Sequence, residues 1–308
     1  MIKYLLTGAN GFLGSVIKET IESAESISDS LGMNQKNDIS MDLSKYVPSF
    51  KTSYDIVMHC AGKAHEYPKT AKEAEEFYQV NYQGTVNLCL GLDSAGIKPD
   101  QFVFISTVAV YGIENGEEIT ENQELNGKTP YAFSKIKAEQ YLIDWGKRND
   151  VAILILRLPL IAGSHPPGNL GKMIEAIQKG FYFNIGGGKA RKSMVLATDV
   201  AQCILSNPKA SGIYHLTDGL HPSFEELAST ICAQTKRKQI RNIPFPLAKI
   251  AGMIGDVLPF FPLNSASVAK MTMNLTFNDA KARKELNWSP RSVVHYLFND
   301  EFIKESQL

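Results

Sequence analysis

An α/β fold built on a doubly wound parallel sheet, with a smaller, loop-rich α/β lobe attached, is predicted by three observations. The strand candidates are continuous apolar runs rather than alternating ones, as in strands covered by helices on both faces. These runs alternate with helical stretches, as βαβ units do. Beyond Pro159 the alternation stops, and proline and glycine cluster in H-P-P-G-N (165–169), I-G-G-G (185–188), P-F-P (244–246) and P-F-F-P (259–262).

In chain order, I-K-Y-L-L (2–6) is a short apolar strand. T-G-A-N-G-F-L-G (7–14) turns the chain into a helix over about 12–23. Second and third strands are expected at 26–31 and 38–43. Y-D-I-V-M-H-C-A-G (54–62) reads as a buried strand ending in a glycine turn, followed by a helix over about 72–95. Q-F-V-F-I-S-T-V-A-V-Y-G (101–112) is another buried strand. Thr129 and Pro130 open a helix over about 130–148, since proline suits the first helical position. V-A-I-L-I-L-R-L (151–158) is a further strand, and G-I-Y-H-L-T (212–217) is a candidate to return to the large sheet. Residues 1–160 plus a return segment at about 190–218 therefore form the first domain. About 161–189 and 219–308 form the second lobe.

Composition narrows the function. With 32 basic and 32 acidic residues the chain is formally neutral and carries no electrostatic footprint for nucleic acid. Lys236-Arg237-Lys238 is too short a run for a basic patch. Cys60, Cys89, Cys203 and Cys232 form no C-x-x-C pair and have no histidine at metal-ligand spacing, so no metal is expected. Unpaired cysteines in apolar runs suit a reducing, cytoplasmic setting. No apolar stretch reaches 18 residues, and the candidate at 250–263 is interrupted by Asp256, Pro259 and Pro262, so no membrane span is expected.

Two motifs carry chemistry. In the first, Gly8, Gly11 and Gly14 are spaced G-x-x-G-x-x-G between a strand and a helix. Missing side chains let a pyrophosphate approach the backbone, and the free N–H groups of the helix that starts at Phe12, Leu13 and Gly14 favour an anion. This is the Rossmann arrangement for a dinucleotide. The acid that would bind an adenosine ribose has no secure position: Asp29 falls within the second strand, Gly32 occupies its tip and Met33 follows. NAD and NADP therefore both remain open. The second motif is Tyr131–Lys135, the one Tyr-x-x-x-Lys in the chain. On a helix the two lie one turn apart on one face. An ammonium beside a phenol lowers the phenol pKa, which suits proton exchange with a hydroxyl or carbonyl. Thr107, closing the preceding strand, can hydrogen-bond the same oxygen. Hydride chemistry by a nicotinamide needs such a proton partner.

Together T-G-A-N-G-F-L-G (7–14), D-L (42–43), H-C-A-G (59–62), V-N-Y-Q-G-T-V-N-L (80–88), S-T-V-A-V-Y-G (106–112), Y-A-F-S-K (131–135) and L-N-W-S-P (286–290) resemble the extended short-chain dehydrogenase/reductases, in particular the NAD-dependent epimerase/dehydratase group acting on nucleotide sugars. The resemblance implies that Thr107, Tyr131 and Lys135 are catalytic. Lys135 would also hold the nicotinamide ribose. Asp42 and Leu43 would contact adenine, with a helix cap the competing role of Asp42. Cys60, Ala61 and Gly62 would form the loop over the cofactor, with a core role competing for Cys60. Asn81 would support the tyrosine helix and the cofactor. In the second lobe Asn169 and Leu170 would hold the nucleotide diphosphate and Arg191 would grip its pyrophosphate, as a planar, permanently charged fork can.

Departures sharpen the expectation. Val108 and Ala109 stand where sugar dehydratases carry an acid and a base, and neither moves a proton, which argues against dehydration. Leu160 and R-K-S-M-V (191–195) are more similar to bacterial surface-polysaccharide enzymes. The resemblance thus implies NAD(P)-dependent oxidation or reduction at C4 of a nucleotide-linked sugar, with UDP as carrier and 4-epimerisation as the leading reading. A 4-keto-sugar reductase and a reductase of a non-nucleotide carbonyl are alternatives, and a non-catalytic dinucleotide sensor ranks last. It also implies a homodimer through helices 72–95 and 130–148. Among the histidines, His59 sits in the H-C-A-G turn and His65 is placed to face the site. His165, His215, His221 and His295 read as core or surface.

Overall fold

The computed structural model describes residues 2–64, 66, 68–235, 240–258 and 263–299. Its first half is the expected strand–helix alternation. β1 (Lys3–Thr7), α1 (Phe12–Ser23), β2 (Ile27–Gly32), β3 (Ile39–Ser40) and β4 (Ile56–His59) lead into α2 (Ala71–Phe77). A π-helical turn over Tyr78–Gln83 joins α2 to α3 (Gly84–Ser94), so the single helix expected over 72–95 is real but locally unwound. β5 (Gln101–Thr107) ends in a 3-10 turn (Val108–Tyr111), five residues before the expected strand end. β6 (Gly116–Ile119), α4 (Pro130–Asn149) and β7 (Ala152–Leu158) complete this half.

The second half continues with β8 (Leu160–Ala162), α5 (Gly168–Lys179), β9 (Phe183–Ile185), β10 (Met194–Leu196), α6 (Ala197–Ser206) and β11 (Gly212–Tyr214). Then follow α7 (Phe224–Thr235), β12 (Arg241–Ile243), α8 (Phe245–Val257), α9 (Ser265–Thr272), β13 (Leu275–Phe277), α10 (Ala280–Glu285) and α11 (Val293–Asn299). This half carries more helix than its proline and glycine content suggests. The reason is positional: Pro244 and Pro246 open α8, Pro167 precedes α5 and Gly180 ends it in the left-handed region. At helix ends these residues terminate rather than disrupt.

A seven-stranded parallel sheet in the order β11-β7-β5-β4-β1-β2-β3 forms the large layer. The segment at 212–214 does return to it, at the edge beside β7. One face of the sheet packs on α1 and α6 through Leu6, Leu13, Ile17, Ile21, Val200 and Ile204, with Leu286 and Trp288 joining the same cluster. The other face packs on α3 and α4 through Leu88, Leu92, Phe102, Phe104, Leu142 and Trp145. These strands are buried on both sides, which explains their uninterrupted apolar runs. A separate core holds α5, α7 and α11 together through Leu170, Ile174, Ile177, Leu227, Ile231 and Leu297. The strand order reverses between β1 and β4, so the crevice at the carboxyl ends of these strands, continued by β5, is where such sheets hold ligands.

Two buried histidines tie the layers. His59 is 1% exposed, and burial together with the Lys135 charge pushes its pKa down to about 3. His215 is fully buried, and burial pushes its pKa down to about 4. Both stay neutral in the fold, whereas in the unfolded chain they bind protons below their ordinary 6.5. The unfolded state therefore holds more protons, and stability falls as pH drops from about 6.5 towards 4, by up to ~1.4 kcal/mol per pH unit for each histidine. Urea unfolding at pH 7 and pH 5 measures this. His215→Phe, which cannot charge, is expected to flatten the dependence, though it also removes the histidine's hydrogen bonds.

Candidate active site

The glycine turn sits at the crevice. Gly8 has φ +74°, and a Cβ there would lie 2.6 Å from the amide nitrogen of Ala61. A Cβ on Gly14 would lie 2.0 Å from the Gly8 carbonyl oxygen. The first glycine thus lets two loops touch, and the third lets the helix close on its own turn. Gly11 is the cap of α1, no side chain caps that helix, and its first turn contains no acid. The N–H groups of Phe12, Leu13 and Gly14 are therefore free for an anion. The Phe12 ring packs against Gly163, where a Cβ would approach to 3.1 Å. That contact puts the start of α1 beside the loop leading to α5.

Cys60, Ala61 and Gly62 follow β4 across the same crevice. A chain of hydrogen bonds fixes them. The Ala61 N–H donates to the Thr7 hydroxyl (3.1 Å), Thr7 contacts His59 Nδ1 (2.6 Å), and His59 Nε2 contacts the Thr85 hydroxyl (2.9 Å). Thr85 spends its own proton on the Asn81 carbonyl (2.7 Å), so His59 must donate from Nε2 and accept at Nδ1. The tautomer follows from the partners. Asn81, in the π-helical turn, accepts from the Lys63 N–H (2.7 Å) and donates to the Lys63 carbonyl (3.0 Å) and the Ser134 hydroxyl (2.9 Å). It thereby joins the 60–63 loop to the helix carrying the tyrosine. Such local unwinding recurs at functional sites. His59 is a positioning residue that the sequence reading left without a role; its place between two threonines across sequence distance gave no local signal. His65 lies outside the described residues. Cys60 is half-buried, and burial pushes its thiol up to about 12.

Thr107, Tyr131 and Lys135 are brought together at the end of β5. The Thr129 hydroxyl accepts from the Ala132 N–H, and with Pro130 it starts α4 where the sequence places it. The Thr107 hydroxyl lies near the Tyr131 phenol and favours its ionised form, but burial outweighs it and pushes the phenol up to about 12. Lys135 is 5% exposed, donates to the Ile105 carbonyl (2.8 Å) and lies 4.4 Å from the Phe104 ring centre. Burial lowers its pKa to about 8. The expected lowering of the tyrosine by the lysine is thus corrected: in this structure burial dominates, and the ammonium is turned to a carbonyl of β5. A Cβ on Gly62 would come within 3.4 Å of Lys135 Nζ and 3.0 Å of Asn81 Oδ1, so loop, lysine and asparagine share one space.

One turn beyond Lys135, Glu139 is 1% exposed and Arg157 is 3% exposed. Arg157 forks onto both carboxylate oxygens of Glu139 at 2.7–3.2 Å, Ser106 donates to the same carboxylate, and Arg157 also reaches the Tyr111 hydroxyl (3.0 Å). Tyr111 in turn meets His215 at 2.5 Å. The network pins α4 to β5 and β7. Sequence reasoning missed it because the partners are 18 to 104 positions apart.

The expected adenosine-end and second-lobe residues fare unevenly. Asp29 accepts from Tyr54 and pairs with Lys3, and Asp38 accepts from Ser30, so neither carboxylate is free at the tip of β2. Asp42 accepts from Ser44 and pairs with Lys45, which makes it the cap of a local turn. Leu43 is in the core, and its carbonyl takes a hydrogen bond from Asn87. Asn169 is exposed in the first turn of α5, while the Leu170 side chain is 4% exposed inside the second core, which leaves its backbone N–H as the group available to a ligand. α5 also lacks a side-chain cap and an acid in its first turn. The Arg191 guanidinium is committed to the Leu220 and His221 carbonyls and to Glu226 at 3.5 Å. The next residue of this extended segment, Lys192, projects to the other side. It is half-buried and lies within the field of Glu114, yet has no ion pair among the described residues; burial lowers its pKa to about 8. Lys192 was overlooked because Arg191 carries the more conspicuous charge. Among the described residues no group of three or more His, Cys, Asp or Glu could hold a metal, and no helix is long and apolar enough to cross a membrane.

Comparison with known proteins fits this geometry. A model of the NAD dependent epimerase/dehydratase family matches residues 4–211. A 4-epimerase of Escherichia coli O157:H7 acting on N-acetyl-alpha-D-glucosaminyl-diphospho-ditrans,octacis-undecaprenol is 26% identical, over 90% of this chain and 87% of its own. Among solved structures, UDP-glucuronic acid 4-epimerase from Bacillus cereus, in complex with UDP-glucuronic acid and NAD, superposes with a TM-score of 0.75 at 18% identity over 99% of both chains. RMD from Pseudomonas aeruginosa, complexed with NADPH, superposes with 0.72 at 20% identity over 97% of both.

The buried pair and the glycine turn give testable consequences. Glu139→Ala leaves Arg157 charged and unpaired in the core, so a loss of ~3–5 kcal/mol in urea unfolding is expected. Gly14→Ala forces a Cβ into a backbone oxygen, and its melting temperature is expected to fall by several degrees alongside any loss of cofactor affinity.

Proposed function

The chain belongs to the NAD-dependent epimerase/dehydratase family, and on that premise we propose that it interconverts C4 epimers of a UDP-linked sugar with a bound NAD or NADP. The observation that carries the reading is the placement of Thr107 beside Tyr131, with Lys135 one helical turn further along α4 and Gly62 close against the Lys135 ammonium. Val108 and Ala109 follow Thr107 in the 3-10 turn, and neither side chain can transfer the protons that water elimination requires.

The residues present fit the cofactor: an uncapped helix start for its diphosphate and a glycine where the loop meets Lys135. When bound, the nicotinamide supplies the hydride acceptor and donor. Tyr131 takes the proton of the C4 hydroxyl, so that C4–H is lost as hydride and a 4-keto sugar results. Thr107 holds the same oxygen. After the keto sugar turns over, Tyr131 returns the proton to oxygen as hydride returns to the opposite face of carbon. Lys135, charged below pH 8, favours the phenolate once substrate displaces water and its ammonium approaches the reacting oxygen. Lys192 and the start of α5 at Asn169 and Leu170 hold the diphosphate, with Arg191 bracing the 220–226 loop beside them. A homodimer through 71–94 and 130–149 belongs to the same proposal; Leu90 and Phe133 are exposed apolar residues on these helices.

A second reading keeps the chemistry and changes the carrier to a polyprenyl diphosphate. The relative covering 90% of the chain acts on such a substrate, and an exposed apolar helix in the second lobe, α8, favours it.

The assay is proton NMR of purified protein with UDP-glucose, UDP-galactose and their N-acetyl forms, first without and then with added NAD⁺. Appearance of the C4 epimer is expected. NADPH consumption with a 4-keto sugar and no epimer would instead assign the reductase chemistry. Tyr131→Phe is expected to lower turnover by ~1000-fold. Lys192→Ala is expected to raise KM by ~10-fold with turnover retained, while Arg191→Ala acts mainly on stability. The pH profile of kcat/KM should fall above about pH 8 as Lys135 loses its proton.

A further inference from the structure

Helix α8 is packed inside out. The residues it turns to the protein are small: Ala248, Gly252 and Gly255 are buried against α9 and Leu263. A Cβ on Gly252 would lie 3.1 Å from the Ser265 nitrogen, and one on Gly255 would lie 1.8 Å from the Leu263 oxygen. Close backbone contact fixes this face. The large apolar residues point outward instead: Leu247 is 59% exposed, Ile250 56%, Met253 60%, Ile254 45% and Val257 78%. Positions 247, 250, 254 and 257 fall on one stripe at helical spacing. Isolated exposed hydrophobes are ordinary, but five on a single helix form a contiguous patch that marks an interaction surface.

Charge identifies the occupant. Between 236 and 258 the sequence carries five basic residues (Lys236, Arg237, Lys238, Arg241 and Lys249) and a single acid, in a chain that is neutral overall. That acid, Asp256, accepts the Ser265 N–H at 3.0 Å and so faces α9. Lys249 is exposed on α8 at the margin of the stripe, and Arg241 is exposed on β12, which leads into the helix. A second copy of this chain meeting the patch about a twofold axis would set basic rim against basic rim. An anionic surface complements it instead.

We propose that α8 is an interfacial membrane helix: its apolar stripe enters the headgroup boundary of an anionic bilayer, and Arg241 and Lys249 meet the lipid phosphates. A 13-residue helix is ~20 Å long, enough to lie in the interface and too short to cross. The inference goes beyond the proposed reaction and does not depend on it. It places the second lobe on the membrane, where a lipid-carried sugar would be presented.

Flotation of the full chain with phosphatidylglycerol/phosphatidylcholine vesicles tests it. Partition into the anionic vesicles is expected, weakened at least ~10-fold by phosphatidylcholine alone or by high salt. Leu247→Glu with Ile250→Glu is expected to abolish flotation while the circular-dichroism melting temperature and turnover on a soluble sugar nucleotide stay unchanged, because these side chains touch neither core nor site. Lys249→Glu should weaken binding several-fold. Absence of wild-type flotation, or flotation unaffected by the double variant, would overturn the proposal. So would a wild-type dimer, seen by light scattering, that the double variant converts to monomer, since the patch would then belong to a second copy. Loss of flotation leaves the NMR assay on UDP-sugars untouched, so failure of this inference and failure of the epimerase reading are separable.

Discussion

The buried Glu139–Arg157 pair is the constraint on which the site's geometry rests. Glu139 belongs to α4 and Arg157 to β7, and Ser106 and Tyr111 bind the pair from β5 and the turn after it. Tyr131 and Lys135 lie two turns and one turn upstream on α4, and Thr107 is the residue after Ser106. The distance between a strand-borne hydroxyl and a helix-borne phenol is therefore set by a salt bridge below them. Such a pair adds little net stability over an apolar replacement, since desolvation offsets attraction. Its value lies in direction: a forked guanidinium accepts a carboxylate in few orientations, so α4 has one register against the sheet.

A second polar chain does the same for the cofactor side. Ala61, Thr7, His59, Thr85 and Asn81 are linked in sequence, each spending one donor on the next. Because His59 stays neutral, the chain carries orientation rather than charge. It ends at Asn81, which also holds Ser134 on α4. The two networks thus meet on one helix from opposite sides. Lys135 stands between them, in contact with the β5 backbone through the Ile105 carbonyl and adjacent to Gly62. The burial that depresses its pKa is the same burial that raises that of Tyr131. Both shifts follow from burying polar groups between α4 and the sheet.

The second lobe obeys weaker rules. Its helices pack on one another around Leu170, Ile174 and Leu227 and on short paired strands, not on a wide sheet. Arg191 and Lys192 illustrate the consequence. In an extended segment neighbours face opposite ways, so one cation braces the 220–226 loop and the other is half-buried with no ion pair among the described residues. α8 illustrates it again: where its inward face must be glycine and alanine, its bulk can only point outward.

The sequence by itself determined the large sheet, the glycine turn and the Tyr131–Lys135 pair. Each is written in local order: apolar runs of strand length, glycines at fixed spacing, and two residues one helical turn apart. Local order also located the start of α4, because Thr129 and Pro130 act within four residues. Tertiary structure alone decided which charges are free. Asp42 and Arg191 are candidate ligands in the sequence, and folding also gives each of them protein partners. That the Leu170 side chain packs in a core with α7 was likewise decided only by the tertiary structure. Glu139, Arg157 and His59 gave no signal because their partners lie far along the chain, and a hydrogen bond between distant residues leaves no periodicity to read. Spacing survives in sequence; competition among neighbours for the same donor or acceptor does not.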